Sequence, residues 1–477
     1  MKIDQTMDLE ARSGADAQAV RGFPRRRTAC ILTAMVIWLW VSGCQSERMD
    51  AGSSPAPELA SSLGDVLPVL PEASVIILSF DALRVDAIGV YGYDRPVTPN
   101  LDRFAERAII LDRAYSAAPV TPTSFAAAFT AQLPFRVFRG WTLKDAPTMA
   151  EAFADAGYTT IGVFNNVQVT SERSFDRGFE HYTFFQSRTD DQVAFDKAIE
   201  VLSEHQDEKI FAWIHFNSPH SPYDYRDVSA HLYDPDYRGE LERSSTASFH
   251  YDDPAEIARL RSLYDGEIFF IDGLFGQLIE FLEDAGILDR SLTVVTTDHG
   301  EEFGERGFFQ HRHMTEESVR VPLLIRHPER TESVRLDQLY SHVDLWPTLA
   351  AATGIGYDGQ RDGWNLLAEP SADRAIVTVA MTDPEYRGMS LVQGRRKLIL
   401  TCVPERHVEV FDLASDPGEV NNLAEADRSW RPMMDVLKAA AGGDPCRTIE
   451  DALAGVEQTE GLSAESIEGL RSLGYIQ

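Results

Sequence analysis

From Ser74 onwards the chain alternates short apolar runs with amphipathic stretches, the pattern of an α/β fold. Ser74–Phe80 (SVIILSF) is apolar almost throughout, as a strand buried on both faces is, and it stops at Asp81. Thr159–Phe164 stops at Asn165 and Asn166, and residues 209–216 lead to Asn217, Ser218, Pro219 and His220. Residues 292–297 lead to Asp298, His299 and Gly300, and residues 321–326 form a fifth run. Helix patterns lie between the runs. Residues 148–156 begin with Thr148 and Glu151 at capping-box spacing, and residues 264–285 carry apolar positions at helical intervals. In open α/β sheets ligands bind outside the carboxyl ends of the strands, so Asp81, Asn165, His220, Asp298 and His299 are expected to meet at one edge. The plainer alternative is that each merely starts a turn, since Asp and Asn punctuate strand ends.

Two Asp and one His supply oxygen and nitrogen donors suited to a divalent cation such as Mn²⁺, Mg²⁺ or Zn²⁺. A hydroxyl nucleophile is offered by Thr121, an N-cap candidate with Pro122 at the first helical position before the small-residue stretch 125–131. A hydroxyl there faces free N–H groups and the positive end of the helix dipole, which favour an anion. Simple capping is the alternative, and spacing alone does not choose between them. His215 and His313 are read as structural or rim residues, and Glu316-Glu317 as a loop or helix start.

Residues 1–43 stand apart. Arg25-Arg26-Arg27 precede an apolar run, 29–41, too short to anchor a bilayer-spanning helix, and small residues follow, as in a bacterial secretory signal. The run ends Val41-Ser42-Gly43-Cys44, which resembles the lipobox of bacterial lipoproteins, where cleavage precedes an acylated Cys. A chance Cys or an uncleaved anchor is the competing reading. Cys44 is therefore expected to tie the chain to the cell envelope, with Gln45 pointing to the outer membrane. Residues 44–71, rich in Ser, Pro, Ala and Glu, read as a flexible tether. Cleavage discards Cys30. Cys402 and Cys446 remain, and two leftover thiols in an oxidising compartment are expected to pair.

Charge narrows the classes. The chain has 44 Lys+Arg against 75 Asp+Glu, a formal −31; without residues 1–43 the balance is 38 against 71, or −33. Such a surface repels a phosphate backbone, so a general nucleic-acid binder is excluded. With 44% hydrophobic residues the chain is neither globally disordered nor a multi-span membrane protein.

Ordered motifs then carry a resemblance. They are Ser79-Phe80-Asp81-Ala82-Leu83-Arg84, Thr98-Pro99-Asn100-Leu101-Asp102, Ala118-Pro119 with Thr121 and Ser124, and Phe175-Asp176-Arg177-Gly178-Phe179. Ser218-Pro219-His220-Ser221-Pro222-Tyr223, Asp298-His299-Gly300-Glu301, Arg320-Val321-Pro322-Leu323, Lys397-Leu398-Ile399 and Phe411-Asp412-Leu413 follow. In this order they resemble the sulfatase family of the alkaline-phosphatase superfamily over nearly the whole mature length. The resemblance implies an α/β/α sandwich with a central mixed sheet and a smaller C-terminal α+β subdomain. It also implies that Asp81, Asp298 and His299, with Thr121, hold one divalent ion (Mn, Zn, Mg or Ca). Position 121 is then the nucleophile, and His220 lies near the leaving-group oxygen. Asn165 and His311 fall near places where the family has cationic sulfate-binding groups and are expected to bind substrate.

The departures are as informative. Sulfatases use a Cys or Ser in a C-x-P-x-R or S-x-P-x-R context, oxidised to formylglycine, whereas this chain reads Thr121-Pro122-Thr123-Ser124-Phe125. Ala82 stands where many of them have a further metal-binding Asp. A plain Thr with Asp and His resembles superfamily members that transfer phosphoryl groups through Thr, such as lipoteichoic acid synthases and phosphoethanolamine transferases. A threonine ester lacks the formylglycine exit by elimination and must be attacked at phosphorus or sulfur. The expected activity is hydrolysis or transfer of phosphate-type or sulfate esters through Thr121, on a small molecule or an envelope polymer. A true sulfuric ester hydrolase and a catalytically inactive binding lipoprotein are the alternatives. The expected organisation is a signal at 1–43, a tether at 44–71, a catalytic domain at 72–368 and a C-terminal subdomain at 369–477.

Overall fold

The computed structural model describes residues 62–139, 141–144, 146–185, 190–223, 233, 253–357, 362–368, 373–454 and 462–472. The signal, Cys44, the tether up to residue 61 and most of the 223–253 insertion lie outside them. Residues 62–71 depart from the expected flexible tether. They open with a 3₁₀ turn, Leu63–Asp65, and bury Leu63 and Leu67, because these two apolar side chains, four apart, find a place in the core.

Each of the five apolar runs from Ser74 onwards forms a strand. Among the described residues the central sheet holds β1 (Ser74–Phe80), β2 (Ile109–Tyr115), β3 (Thr159–Phe164), β4 (His181–Phe184) and β5 (Ile210–Phe216). It is completed by β6 (Ser291–Thr297), β7 (Arg320–Arg326) and β8 (Val334–Ser341). The spatial order is β8-β2-β7-β6-β1-β5-β3-β4, and only β7 runs against its neighbours. Period-two alternation sends Ile76 and Leu78 to one face of β1 and Val75 and Ile77 to the other, each into its own apolar cluster. That double burial is why β1 has no polar face to show in sequence.

Helices cover both faces. On the first lie α1 (Pro99–Ala105), part of α4 (Asp191–Glu204) and the long α5 (Pro254–Asp284). On the second lie α2 (Thr121–Thr130), α3 (Met149–Asp155) and α6 (Leu345–Thr353). The capping box read from Thr148 and Glu151 is present: Glu151 N–H donates to the Thr148 hydroxyl, and the Glu151 carboxylate accepts the Thr148 N–H. Helix α5 starts ten residues before the apolar pattern does, because Asp253 caps it and Pro254 fills the first position. No described helix is long and apolar enough to cross a membrane.

A second, antiparallel sheet follows: β9 (Ala375–Ala380), β10 (Arg387–Gln393), β11 (Arg396–Val403) and β12 (His407–Asp412). One face buries Val377, Val379, Leu391 and Leu398 beneath α7 (Arg431–Ala441) and α8 (Pro445–Leu453). The other packs Ile376, Ile399 and Phe411 against Tyr115, Met314 and Val319. The expected disulfide joins Cys402 on β11 to Cys446 on α8.

Candidate active site

The parallel strands β6, β1, β5 and β3 end side by side, and ladder hydrogen bonds run one residue past them. Asp81 N–H donates to Phe216 O at 2.9 Å, Asp298 N–H to Phe80 O at 3.3 Å, and Asn165 N–H to His215 O at 3.0 Å. The sheet itself thus fixes where these side chains start. Asp81, Asp298 and His299 come together fully buried, with one donor atom from each within 4.8 Å of the others.

Each of the two carboxylates is tied at one oxygen and open at the other. Asp298 Oδ1 accepts the N–H of His299 at 2.9 Å and of Ala82 at 3.1 Å, while Oδ2 has no hydrogen-bond partner. Asp81 Oδ2 accepts the Asn166 amide at 2.6 Å, while Oδ1 has none. His299 Nδ1–H donates to Gly300 O at 2.9 Å, which leaves the lone pair on Nε2. Nε2 lies 3.8 Å from Asp81 Oδ1 and 3.4 Å from Asp298 Oδ2. Two orphaned carboxylate oxygens and an imidazole lone pair, all buried and facing one another, form a donor set that fits a divalent cation.

Burial and the neighbouring Asp298 push Asp81 well above the usual carboxylate range. Burial opposes ionisation of Asp298 as well, but His299, His215 and the Ala82 N–H outweigh it and hold that carboxyl below its ordinary value. His299, His311 and His215 are each pushed down to about 4 by burial, and His220 is lowered for the same reason.

Thr121 arrives from the other side. The segment after β2 returns through Ser116, whose N–H donates to Val319 O at 2.8 Å, and α2 begins at Thr121 with Val120 as its N-cap. Thr121 is therefore the first helical residue and not the cap, one position from expectation, because Val120 keeps extended backbone. Its Oγ lies 3.2 Å from His299 Nε2. Ser124, one turn on, donates to Asp298 O at 2.8 Å and pins the helix start to the loop after β6. Gly300 is required in that loop: a Cβ there would stand 2.0 Å from Glu317 O.

His220 and His311 line the same end. Their rings lie 4.9 Å apart, and His311 stacks on His299 at 4.3 Å. His220 Nδ1–H donates to Ser221 O at 2.5 Å, so its exchangeable position is Nε2. Glu301, which sequence reasoning did not single out, organises this group: Oε1 lies 3.0 Å from His311 Nδ1 and Oε2 accepts the Tyr223 hydroxyl at 2.8 Å. Its place two residues beyond His299 was the available signal. Asn165 turns away from the cluster and donates to Asp191 Oδ1 at 2.6 Å, whereas Asn166 reaches Asp81. The turn after β3 alternates the two side chains, and identical neighbours gave no hint of which would face in. His215, read as structural or at the rim, sits beneath the cluster with Nε2 3.6 Å from Asp81 Oδ2. His313 lies apart, 2.9 Å from Glu302, and Glu316 opens a short helix, as read. Arg84, the cation after Asp81, is committed to Asp86 and Glu305 at 2.7 and 2.8 Å.

Comparison with known proteins agrees with this fold. Choline-sulfatase of Rhizobium meliloti is 30% identical over 274 residues, 51% of this chain and 53% of that protein. The chain thus matches about half the length of this curated relative. A structure captured with its substrate D-glucosamine-2-N,6-O-disulfate superposes with a TM-score of 0.64 at 21% identity, covering 80% of this chain and 98% of that one. Phosphonate monoester hydrolase of Agrobacterium radiobacter superposes with a TM-score of 0.62 at 18% identity, covering 78% and 95%. These likenesses establish the shared fold. The family model described as Sulfatase matches residues 73–355, more than half of the 477-residue chain. The chain belongs to the sulfatase family of the alkaline-phosphatase superfamily.

Proposed function

We propose that the protein is a metal-dependent hydrolase or transferase of phosphate-type esters (phosphodiester, phosphonate or phosphomonoester) that works through Thr121. One observation carries the reading: a threonine hydroxyl, not an oxidisable Cys or Ser, lies 3.2 Å from His299 Nε2 beside two orphaned carboxylate oxygens. Asp81 Oδ1, Asp298 Oδ2 and His299 Nε2 would hold the cation. When bound, it supplies Lewis acidity to the adjacent hydroxyl and positive charge for a non-bridging ester oxygen.

Thr121 Oγ forms the bond to phosphorus as its proton leaves to solvent, and the bond from phosphorus to the alcohol oxygen breaks. His220 Nε2–H delivers a proton to that departing oxygen. Burial favours the neutral imidazole, and the anionic ester docking beside it favours the protonated form. Water, or a second alcohol, then attacks phosphorus and gives its proton to His220, while the bond to Oγ breaks and Oγ takes up a proton. Glu301 fixes His311 at Nδ1 and leaves its other nitrogen for the ester, in the role expected of His311 as a substrate-binding group. Asn166, not Asn165, is the amide placed to join it.

Sulfate esters are the second reading, favoured by the choline-sulfatase relative. Side-by-side assay of p-nitrophenyl sulfate, phosphate, phosphodiester and phosphonate decides between them. Turnover of phosphorus esters that is lost in Thr121→Ala supports the proposal. Turnover of the sulfate alone, or turnover retained in Thr121→Ala, contradicts it. We also propose that lipid on Cys44 holds the enzyme at the cell envelope; labelling with radioactive palmitate should disappear in Cys44→Ala.

A further inference from the structure

Beneath Asp81 lies a chain of polar groups that the reaction above does not use. Strands β1 and β5 set Ser79 opposite His215, and the two-residue period of a strand places Trp213 on the same face. Trp213 Nε1, which can only donate, donates to Ser79 Oγ at 2.9 Å. The Ser79 hydroxyl then has one proton to place, and His215 Nδ1 lies 3.0 Å away. If Ser79 accepts from Trp213 and donates to Nδ1, the Trp213 N–H, the Ser79 hydroxyl and Nδ1 are satisfied, and the proton of the neutral imidazole resides on Nε2. That atom is buried, has no hydrogen-bond partner, and lies 3.6 Å from Asp81 Oδ2. Phe125 presses on the imidazole edge-to-face with ring centres 4.8 Å apart, so the ring is packed as well as bonded.

With that tautomer Asp81 Oδ2 accepts the Asn166 amide at 2.6 Å and has the His215 Nε2–H 3.6 Å away, an electrostatic contact longer than a hydrogen bond, whereas Oδ1 faces no N–H. In a water-poor interior that asymmetry concentrates the fixed contacts on one oxygen and leaves the other to a ligand. We infer that His215 is a positioning residue: its Nε2–H, directed by Trp213 and Ser79, holds Oδ2 of Asp81 so that Oδ1 is presented to the cation. The inference rests on the metal site proposed above. It assigns work to Trp213 and Ser79, neither of which touches the cluster. Partners of this kind typically change metal affinity about 10–100-fold when removed.

The test is a Mn²⁺ titration of the purified chain, with free Mn²⁺ read by electron paramagnetic resonance. The amide of His215→Gln reaches the place of Nε2, whereas that of His215→Asn ends near Nδ1. Gln should keep the affinity within about threefold, and Asn should weaken it about 10–100-fold. Ser79→Ala, a smaller change, should weaken it in the same direction with an unaltered far-ultraviolet dichroism spectrum, and it carries the test if the Asn variant does not fold. Wild-type affinity in folded His215→Asn or in Ser79→Ala overturns the inference, as does equal weakening by Gln and Asn. A wild-type chain that binds no Mn²⁺ contradicts the proposed metal site and the inference together. Wild-type binding with unresponsive variants contradicts the inference alone.

Discussion

At the edge of the central sheet, Asp81 and Asp298 are buried with only histidines as ion-pair neighbours among the described residues, whereas at the C-terminal sheet a second cluster of carboxylates encloses a buried lysine. Lys397 Nζ on β11 lies 2.8 Å from Glu316 Oε1 and 2.8 Å from Glu419 Oε1. Glu419 Oε2 accepts the Glu316 N–H at 2.9 Å, and Tyr115 donates to Glu316 Oε2 at 3.1 Å. Both clusters incur a desolvation cost. The second offsets it with its own partners and joins the C-terminal sheet to the short helix before β7. The first leaves a gap between two carboxylates and an imidazole that only an added positive charge, or a proton, relieves. What sets the candidate site apart is not burial but the convergence of two carboxylates and an imidazole with no Lys or Arg between them.

The largest effect should come from the open cluster. Asp298→Asn or Asp81→Asn should lower kcat/KM by about 10³-fold or more, since several kcal/mol of charge stabilisation depend on the bound ion. Metal-free Asp81→Asn should unfold at the same or a higher urea concentration, because burial and the neighbouring Asp298 disfavour the Asp81 charge in the folded state. The closed cluster should behave in the opposite way. Lys397→Met leaves Glu316 and Glu419 uncompensated and should cost about 3–5 kcal/mol of unfolding free energy by urea titration. If Lys397→Met is harmless and Asp81→Asn unfolds the metal-free chain, the contrast is reversed.

Smaller effects sharpen it. Replacing Cys402 and Cys446 by Ser opens the link between β11 and α8 and should cost about 2–4 kcal/mol. Burial, only partly offset by Lys397, raises Glu419 from 4.5 to about 7. The folded state holds this proton more tightly than the unfolded chain, so the stabilisation is complete below pH 4.5 and is lost as the pH rises through 7. Stability should thus decline by on the order of 1 kcal/mol across that window, and Glu419→Gln should flatten the decline. A Glu419→Gln chain with the same slope as wild type would remove Glu419 from the account.

Much of this was legible in sequence because parallel strands are buried on both faces. An apolar run that stops at Asp81 or Asp298 marks both the strand and the residue delivered to its end. Helix termini were less legible: α5 begins within a polar stretch where capping by Asp253, not apolar period, decides, and Val120 takes the cap from Thr121. Within the site the Asp81, Asp298 and His299 cluster was readable and its supports were not. Asn166 rather than Asn165 faces in because of a turn, and Glu301 meets His311 only after the chain has folded back through a short hairpin. His215 was readable in principle. It shares strand parity with Phe211 and Trp213 on the face covered by α2, but parity does not reveal that Asp81 stands beside it. Residues 62–71 read as tether because they continue a stretch rich in Ser, Pro, Ala and Glu, and composition does not reveal that Leu63 and Leu67 are buried.

The central claim is that Thr121 carries the transferred group. Its most direct test is acid quenching of the Mn²⁺-loaded chain during turnover of p-nitrophenyl phenylphosphonate, followed by peptide mass spectrometry. The account predicts a phenylphosphonyl adduct on the peptide containing Thr121, absent in Thr121→Ala. Steady turnover with that peptide unmodified, or an adduct on another residue, would contradict it.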